Sequence, residues 1–228
     1  MVDLFLPNKK KIMKLGIQAV LWIASIFFGY KIYDSISGPI NFNQTKIKRY
    51  SKVINVMKDI RTAQIAHKDV KGVYSNNFDS LIKFIDEGIF TLVEKRDSSY
   101  LEYDRTYRID MLREIVVIDT LGFVPVKDSL FQTSERYKKM ANIPIEGLRD
   151  SMFQIKSDII NKNGYKVPVF EVKISKNILL FDQDEDLVKQ ENETISVDGV
   201  NGPEIILGSL SNVSTNGNWP TIFDAKQE

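Results

Sequence analysis

The segment Asp182 to Glu193 carries the strongest chemical spacing in the chain. Asp182, Asp184 and Asp186 alternate, and Glu193 closes the run at position 12 counted from Asp182. Carboxylates at the first, third, fifth and twelfth positions are the ligand spacing of a calcium loop, because alternating side chains in a turn converge on one hard cation. The sixth position is Leu187, where the sharp turn of such a loop favours glycine. Two readings stay open: a looser calcium-binding loop, and a solvated acidic loop.

Other reactive chemistry is scarce. The chain has 1 histidine, His67, and 0 cysteines. Thiolate zinc sites, cysteine nucleophiles and disulfide frameworks are excluded, and a lone histidine leaves most triads and transition-metal sites without a partner. His67 is therefore expected to pack or to face solvent. No phosphate-binding glycine loop, nucleophile elbow or metalloprotease helix is present. A net charge of +1 over 228 residues provides no global field for nucleic acid. These absences point to a non-enzymatic protein with no cofactor other than calcium. Lys46, Lys48, Arg49 and Lys52 form a basic stretch that suits either anionic headgroups or a solvated helix face. Val167-Pro168-Val169-Phe170 and Gly217-Asn218-Trp219-Pro220 set aromatics beside prolines, which suits a partner patch or a sheet core.

The elements that must position these groups begin with an apolar helix at residues 15–33. Its uncharged stretch, Leu15 to Tyr30, spans 16 residues, or about 24 Å of helix. That is slightly less than a hydrocarbon core of about 30 Å, and Lys14 and Lys31 at its two ends can snorkel to make up the difference. Trp22 lies mid-span and Tyr30 suits the interface. The preceding basic tail, 1–14, carries Lys9, Lys10, Lys11 and Lys14, which favours a cytoplasmic N-terminus and a periplasmic or extracellular body. No small-residue cleavage site of good quality follows, so an uncleaved signal-anchor is expected.

Ser37-Gly38-Pro39 predicts a helix break inside a linker at 34–44. An amphipathic helix is expected from about Thr45, its N-cap, to about Val70. Its stripe is Ile47, Tyr50, Ile54 and Met57, with Val53, Ile60 and Ala63 beside it. Gly72 suits a left-handed cap. A short helix follows Asn76-Asn77 and closes at Gly88, completing a helical segment at 45–90. Residues 91–228 read as β-rich and as one unit with that segment. Glu114 to Asp119 and Phe123 to Lys127 are expected as strands around a Thr120-Leu121-Gly122 turn, with Tyr100 to Arg113 ambiguous. Phe153 to Ile160 and Tyr165 to Ile174 are expected as a hairpin turned by Asn161-Lys162-Asn163-Gly164. Ile178 to Phe181, Thr194 to Val197 and Glu204 to Leu207 are shorter strand candidates, and Ser211 to Pro220 reads as loop. The expected fold class is α+β: a transmembrane helix, an amphipathic helix packed on an antiparallel sheet, and a β-rich C-terminal region.

One ordered set of features carries a resemblance. After the basic flank and apolar helix come Ile60-Arg61-Thr62-Ala63-Gln64-Ile65-Ala66-His67, then Lys71-Gly72-Val73-Tyr74, then Phe78-Asp79-Ser80-Leu81-Ile82. This string resembles type IV pilins and type II secretion pseudopilins over about residues 15–88. The resemblance implies close packing of the alanines on a sheet, a chain reversal at Gly72, and Tyr74 covering the helix end. It also implies an oligomeric structural role among envelope proteins. Calcium near Asp182 to Glu193 is in keeping with some pseudopilins. The chain departs from the family at the processing site. The nearest glycine is Gly16, the fifth residue after it is Leu21 rather than glutamate, and the segment 34–44 is unlike one continuous pilin helix.

The functional expectation is a membrane-anchored structural or assembly component of a surface or secretion apparatus, whose partners are the lipid bilayer and other envelope proteins. The alternatives are a membrane-tethered binding module acting through its β-region loops, and a phage-encoded membrane or virion structural protein.

Overall fold

The computed structural model describes residues 9–224. The part of the basic tail at 1–8 lies outside the described residues. The first element, α1 (Lys9–Lys71), is a single helix of 63 residues. The expected break at Ser37-Gly38-Pro39 is absent: Pro39 lies inside the helix, and the expected linker at 34–44 and the expected cap Thr45 are helical turns. A proline within a helix removes one hydrogen bond and crowds one carbonyl. Splitting the helix would instead create two new ends, each with up to about four unpaired backbone groups. Phe42, which the polar linker pattern concealed, is the first buried residue of the helix among those whose burial is described, from Met13 onward.

The second half of α1 buries one stripe: Tyr50, Val53, Ile54, Met57, Ile60, Ala63 and Ala66 recur at helical spacing. Ile47 is exposed, so the stripe is rotated off its expected first member. Gly72 ends the helix at φ 80°, as a left-handed cap does. The helix α2 (Phe78–Glu87) starts at Asn77, whose side chain accepts from the Ser80 amide at 2.6 Å. It presents Phe78, Leu81, Phe84 and Ile85 to the core.

Two antiparallel sheets follow. Strands β1 (Ile89–Asp104) and β2 (Ile109–Pro125) form a hairpin paired along its whole length. The expected turn at Thr120-Leu121-Gly122 is a correction. Leu92 faces Gly122 and Val93 faces Thr120, so Leu121 is the extra residue of a β-bulge inside one strand. Glycine inside a strand pattern marks a bulge as readily as a turn. The true connection lies in the ambiguous stretch, where Asp104 accepts from the amides of Thr106 and Tyr107.

The second sheet has the order β3 (Gln154–Lys162), β4 (Tyr165–Ser175), β5 (Glu204–Gly208). The expected hairpin is present. Lys162 pairs with Tyr165 across Asn163 and Gly164, whose positive φ values of 53° and 86° suit a two-residue turn. Three short helices interrupt the β-rich half: α3 (Val126–Leu130), α4 (Lys176–Leu179) and α5 (Glu185–Asn192). The strand expected at Ile178 to Phe181 is therefore largely α4 and its exit turn, and Thr194 to Val197 is irregular. One hydrophobic core unites α1 from Phe42, α2 and the β3-β4-β5 sheet, through Phe170, Val172, Ile174, Ile205 and Leu207. The fold class is α+β.

Candidate functional site

The apolar end of α1 is the first candidate. The helix is long and apolar enough to cross a membrane, and none of its apolar window is buried against the rest of the chain. Trp22 is 71% exposed and Tyr30 64%. Apolar side chains surround the helix on every side rather than on one stripe, which in water would expose far more apolar surface than a soluble helix does. Lys14 and Lys31 are exposed at its two ends. The 17 steps between them span about 26 Å.

The string from Arg61 to Tyr74 builds the far end of the same helix. Ala63 and Ala66 are buried, and their small side chains let neighbouring groups come close. Gln64 is wholly buried, and its amide brackets one residue of the returning chain: Nε2 donates to the Ser75 carbonyl at 2.8 Å and Oε1 accepts from the Ser75 amide at 2.9 Å. The His67 Nδ1–H donates to the Val73 carbonyl at 2.6 Å, and its ring meets Phe84 edge-on at 4.9 Å. His67 is thus a packed, hydrogen-bonded helix-end residue. Tyr74 is buried with its ring 4.6 Å from Phe170 of β4. The Arg61 guanidinium lies over the Trp219 ring at 5.6 Å. Phe170 and Trp219, read from sequence as either patch or core, are core.

A buried polar cluster joins α1 to the C-terminal half. Lys176 is fully buried, and its ammonium donates to Glu191 Oε1 at 3.0 Å, the Glu191 carbonyl at 2.9 Å and the Val200 carbonyl at 2.7 Å. Lys46 reaches the other carboxylate oxygen of Glu191 at 2.9 Å, and the Tyr50 hydroxyl donates to Oε1 at 3.3 Å. Burial pulls the Lys176 ammonium below the ordinary lysine range, against the opposing pull of Glu191. Burial, and then the Glu191 charge, push the Tyr50 phenol far up. The Arg49 guanidinium grips both oxygens of Asp182 at 2.5 and 2.7 Å and donates to the Leu179 carbonyl at 2.8 Å. These bonds, led by the one from Arg49, hold the Asp182 carboxyl down at about 2. Two of the four members of the basic stretch, Lys46 and Arg49, are thereby turned into the fold.

The structure does not gather the four carboxylates of the calcium spacing. Asp182 belongs to Arg49, Asp184 caps α5 by accepting from the amides of Asp186 and Leu187, Asp186 faces Lys189 at 3.4 Å, and Glu193 is exposed beyond the helix. Among the described residues no group of three or more histidines or carboxylates is placed to hold a metal ion. The spacing that reads as a loop is a helix start: Asp-Glu-Asp ahead of Leu187 and Val188 is an N-cap and an acidic first turn, which the helix dipole favours.

Sequence reasoning missed Lys176 and Glu191, although a signal was present. Phe170, Val172 and Ile174 point inward at period two along β4, and Lys176 continues that row. Glu191 lies three and four residues beyond Val188 and Leu187, on the side of α5 packed against the core.

An open groove of about 830 Å³ runs beside α1, between Lys52, Val56 and Asp59 on one side and Arg136, Ile143 and Ile145 on the other. Arg136 crosses it to Asp59 with bonds of 2.8 and 3.1 Å. Comparison of the chain with protein-family models, with curated proteins and with solved structures finds no match.

Proposed function

We propose that this chain is a single-pass membrane protein, anchored by the first part of α1, whose head is a structural or assembly component of a cell-envelope apparatus. The observation that carries the reading is the continuity of α1. One helix holds an unburied apolar segment near its start and the central core stripe of the head near its end. Such a helix couples the bilayer to the head without a flexible joint, which suits a part that must hold position rather than reach for a ligand. The absence of a linker also removes one departure from the pilin-like pattern. The bracket of Gln64 on Ser75 and the ring of Tyr74 on Phe170 supply a physical reason for the Ala-Gln and Gly-x-Tyr features of that pattern.

In this reading the N-terminus is cytoplasmic and the head lies outside, with Trp22, Tyr30, Lys14 and Lys31 meeting lipid. The partners are the bilayer and other envelope proteins, and the chain performs no reaction. The test is membrane fractionation of the full chain with N-terminal sequencing and protease protection in right-side-out and inverted vesicles. The expected result is an intact N-terminus in the membrane fraction and a head cleaved only from the outer face. A new N-terminus at Ile17 would show prepilin-like processing. A soluble head, or one cleaved from the inner face, would overturn the reading.

A further inference from the structure

Beyond Phe90, which packs against the core, the β1–β2 hairpin lies outside it. No residue from Thr91 to Pro125 is buried, and both faces and both long edges carry apolar side chains or unpaired backbone in the isolated chain. At about 3.3 Å per residue the hairpin is roughly 50 Å long. A two-stranded ribbon of that kind is marginal alone, and an open apolar edge is a template for another strand.

Its two strands differ in character. Strand β1 reads Glu94-Lys95-Arg96-Asp97-Ser98-Ser99, a charged run of the kind that guards an outer edge. Strand β2 reads Ile115-Val116-Val117-Ile118 at the same level. Because side chains alternate, Val116 and Ile118 occupy one face and Ile115 and Val117 the other. A strand apolar on both faces has the composition of an interior strand, paired on both sides. Among the described residues β2 has a partner on one side only.

We propose that the free edge of β2 pairs antiparallel with β2 of a second copy about a twofold axis at Val116. The product is a four-stranded sheet with the two apolar strands inside and the two charged strands outside. Charge selects the copy and the register. With the axis at Val116, Arg113 stands directly opposite Asp119 of the second copy, and the symmetry makes that contact twice. Within each hairpin Arg113 already bonds Glu102 at 2.9 Å and Asp119 already bonds Arg96. By strand alternation these four side chains share one face. The row across four strands then reads Glu102, Arg113, Asp119, Arg96, alternating in sign. Directly opposite residues share a face, so the neighbouring registers place the axis at Val117 or at Ile115. An axis at Val117 would set Asp119 against Ile115 and Arg113 against the bulge residue Leu121. An axis at Ile115 would set Arg113 against Val117 and Asp119 against Met111, leaving both charges without a mate. The inference does not rest on the membrane reading.

The chain has no native cysteine, so single cysteines report the contact directly. The full-length chain carrying Val116→Cys is oxidised mildly in membranes and in mild detergent, beside Ser98→Cys on the outer strand. Residues facing each other across the axis lie within disulfide reach, whereas the two Ser98 positions sit three strand spacings apart, roughly 14 Å. Val116→Cys is expected to form a disulfide dimer at least about tenfold more than Ser98→Cys. Register is tested by mixing Arg113→Cys and Asp119→Cys chains, which cross-link with each other but not with themselves. Val116, Ser98 and Arg113 are exposed and Asp119 is half-buried, and melting under reducing conditions verifies the fold. Equal cross-linking at Val116 and Ser98, no cross-link at either, or a Val116 adduct with a different protein would each overturn the proposal.

Discussion

Lys176 and Glu191 form a buried ion pair at 3.0 Å, and Lys46 of α1 shares the same carboxylate at 2.9 Å. The pair therefore fastens the end of β4 to α5, and both to the long helix. Its ammonium has three acceptors, and two of them are backbone carbonyls. Charge taken out of water is tolerated only when its hydrogen bonds are completed in this way.

Removing Lys176 leaves the buried Glu191 carboxylate short of one charged partner and two backbone carbonyls without the ammonium. Lys176→Met is expected to destabilise the head by about 3 kcal/mol, the lower end for a broken buried pair because Lys46 still serves Glu191. Lys176→Met combined with Glu191→Leu should recover part of the loss, since a matched apolar replacement removes the uncompensated charge. The midpoint of denaturant unfolding for the three proteins checks both statements. A single variant as stable as the wild type would show that the ion pair contributes nothing.

The Asp182 carboxyl predicts a pH effect with a definite sign. Its folded value of about 2 lies below the ordinary value of 3.8 because Arg49 hydrogen-bonds the ionised form. Folding therefore favours the ionised form. The stabilisation is fully present above about pH 4 and is lost as pH falls through 2. Asp182 is partly exposed, so after solvent screening the contribution is about 1 kcal/mol and shrinks in salt. The stability gap between the wild type and Asp182→Asn, measured by melting at pH 5 and pH 2 in low salt, should close at the lower pH. A gap independent of pH would remove the Arg49 contact as its source.

Gln64 tests the bracket on Ser75. Gln64→Leu keeps the volume roughly constant but leaves a buried N–H and C=O without partners. Each such group costs about 1–3 kcal/mol. A loss of at least about 2 kcal/mol is expected, together with faster hydrogen exchange at the Ser75 amide. Unchanged exchange there would mean that the turn holds itself.

Two glycines with left-handed backbone separate conformational strain from steric conflict. Gly72, at φ 80°, has nothing near an added Cβ, whereas at Gly208, φ 78°, that atom would lie 2.3 Å from the Phe170 carbonyl oxygen. Gly72→Ala should cost about 1 kcal/mol, the left-handed penalty alone. Gly208→Ala carries the same penalty and must also push β5 away from β4, so its unfolding midpoint should fall clearly further. Equal costs would show that β5 yields freely.

The contrast between what was and was not legible in the chain follows from range. Local chemistry was readable: the left-handed cap at Gly72, the Asn77 cap, and the Asn163-Gly164 hairpin each depend on a few neighbouring residues. The Pro39 region and Leu121 misled because the same residues serve two outcomes. Proline ends a helix or is absorbed by it, and a glycine beside a strand marks a turn or a bulge. Pairing with β1 decides the second case, and it is not written near Gly122. The acidic run at Asp182 reads more than one way for a related reason. Its composition fits a cation loop and a helix start equally, and Arg49, which lies 133 residues away, claims the first carboxylate.

The membrane reading makes the sharpest demand on the apolar half of α1. Its uncharged run, Leu15 to Tyr30, is only 16 residues, about 24 Å of helix against a core of about 30 Å. A span that short has little margin. Ile26 lies inside it and is 68% exposed in the isolated chain, so a substitution there removes no packing within the head. Ile26→Arg would place a guanidinium within the bilayer, at a cost of about 2.5–3.5 kcal/mol of insertion free energy. The fraction of the chain in carbonate-washed membranes should drop several-fold, while the melting of the head stays unchanged. Ile26→Leu should behave as the wild type. If the arginine variant remained fully in the membrane fraction, or if the head lost stability with it, the apolar half of α1 would be packing against protein rather than lipid.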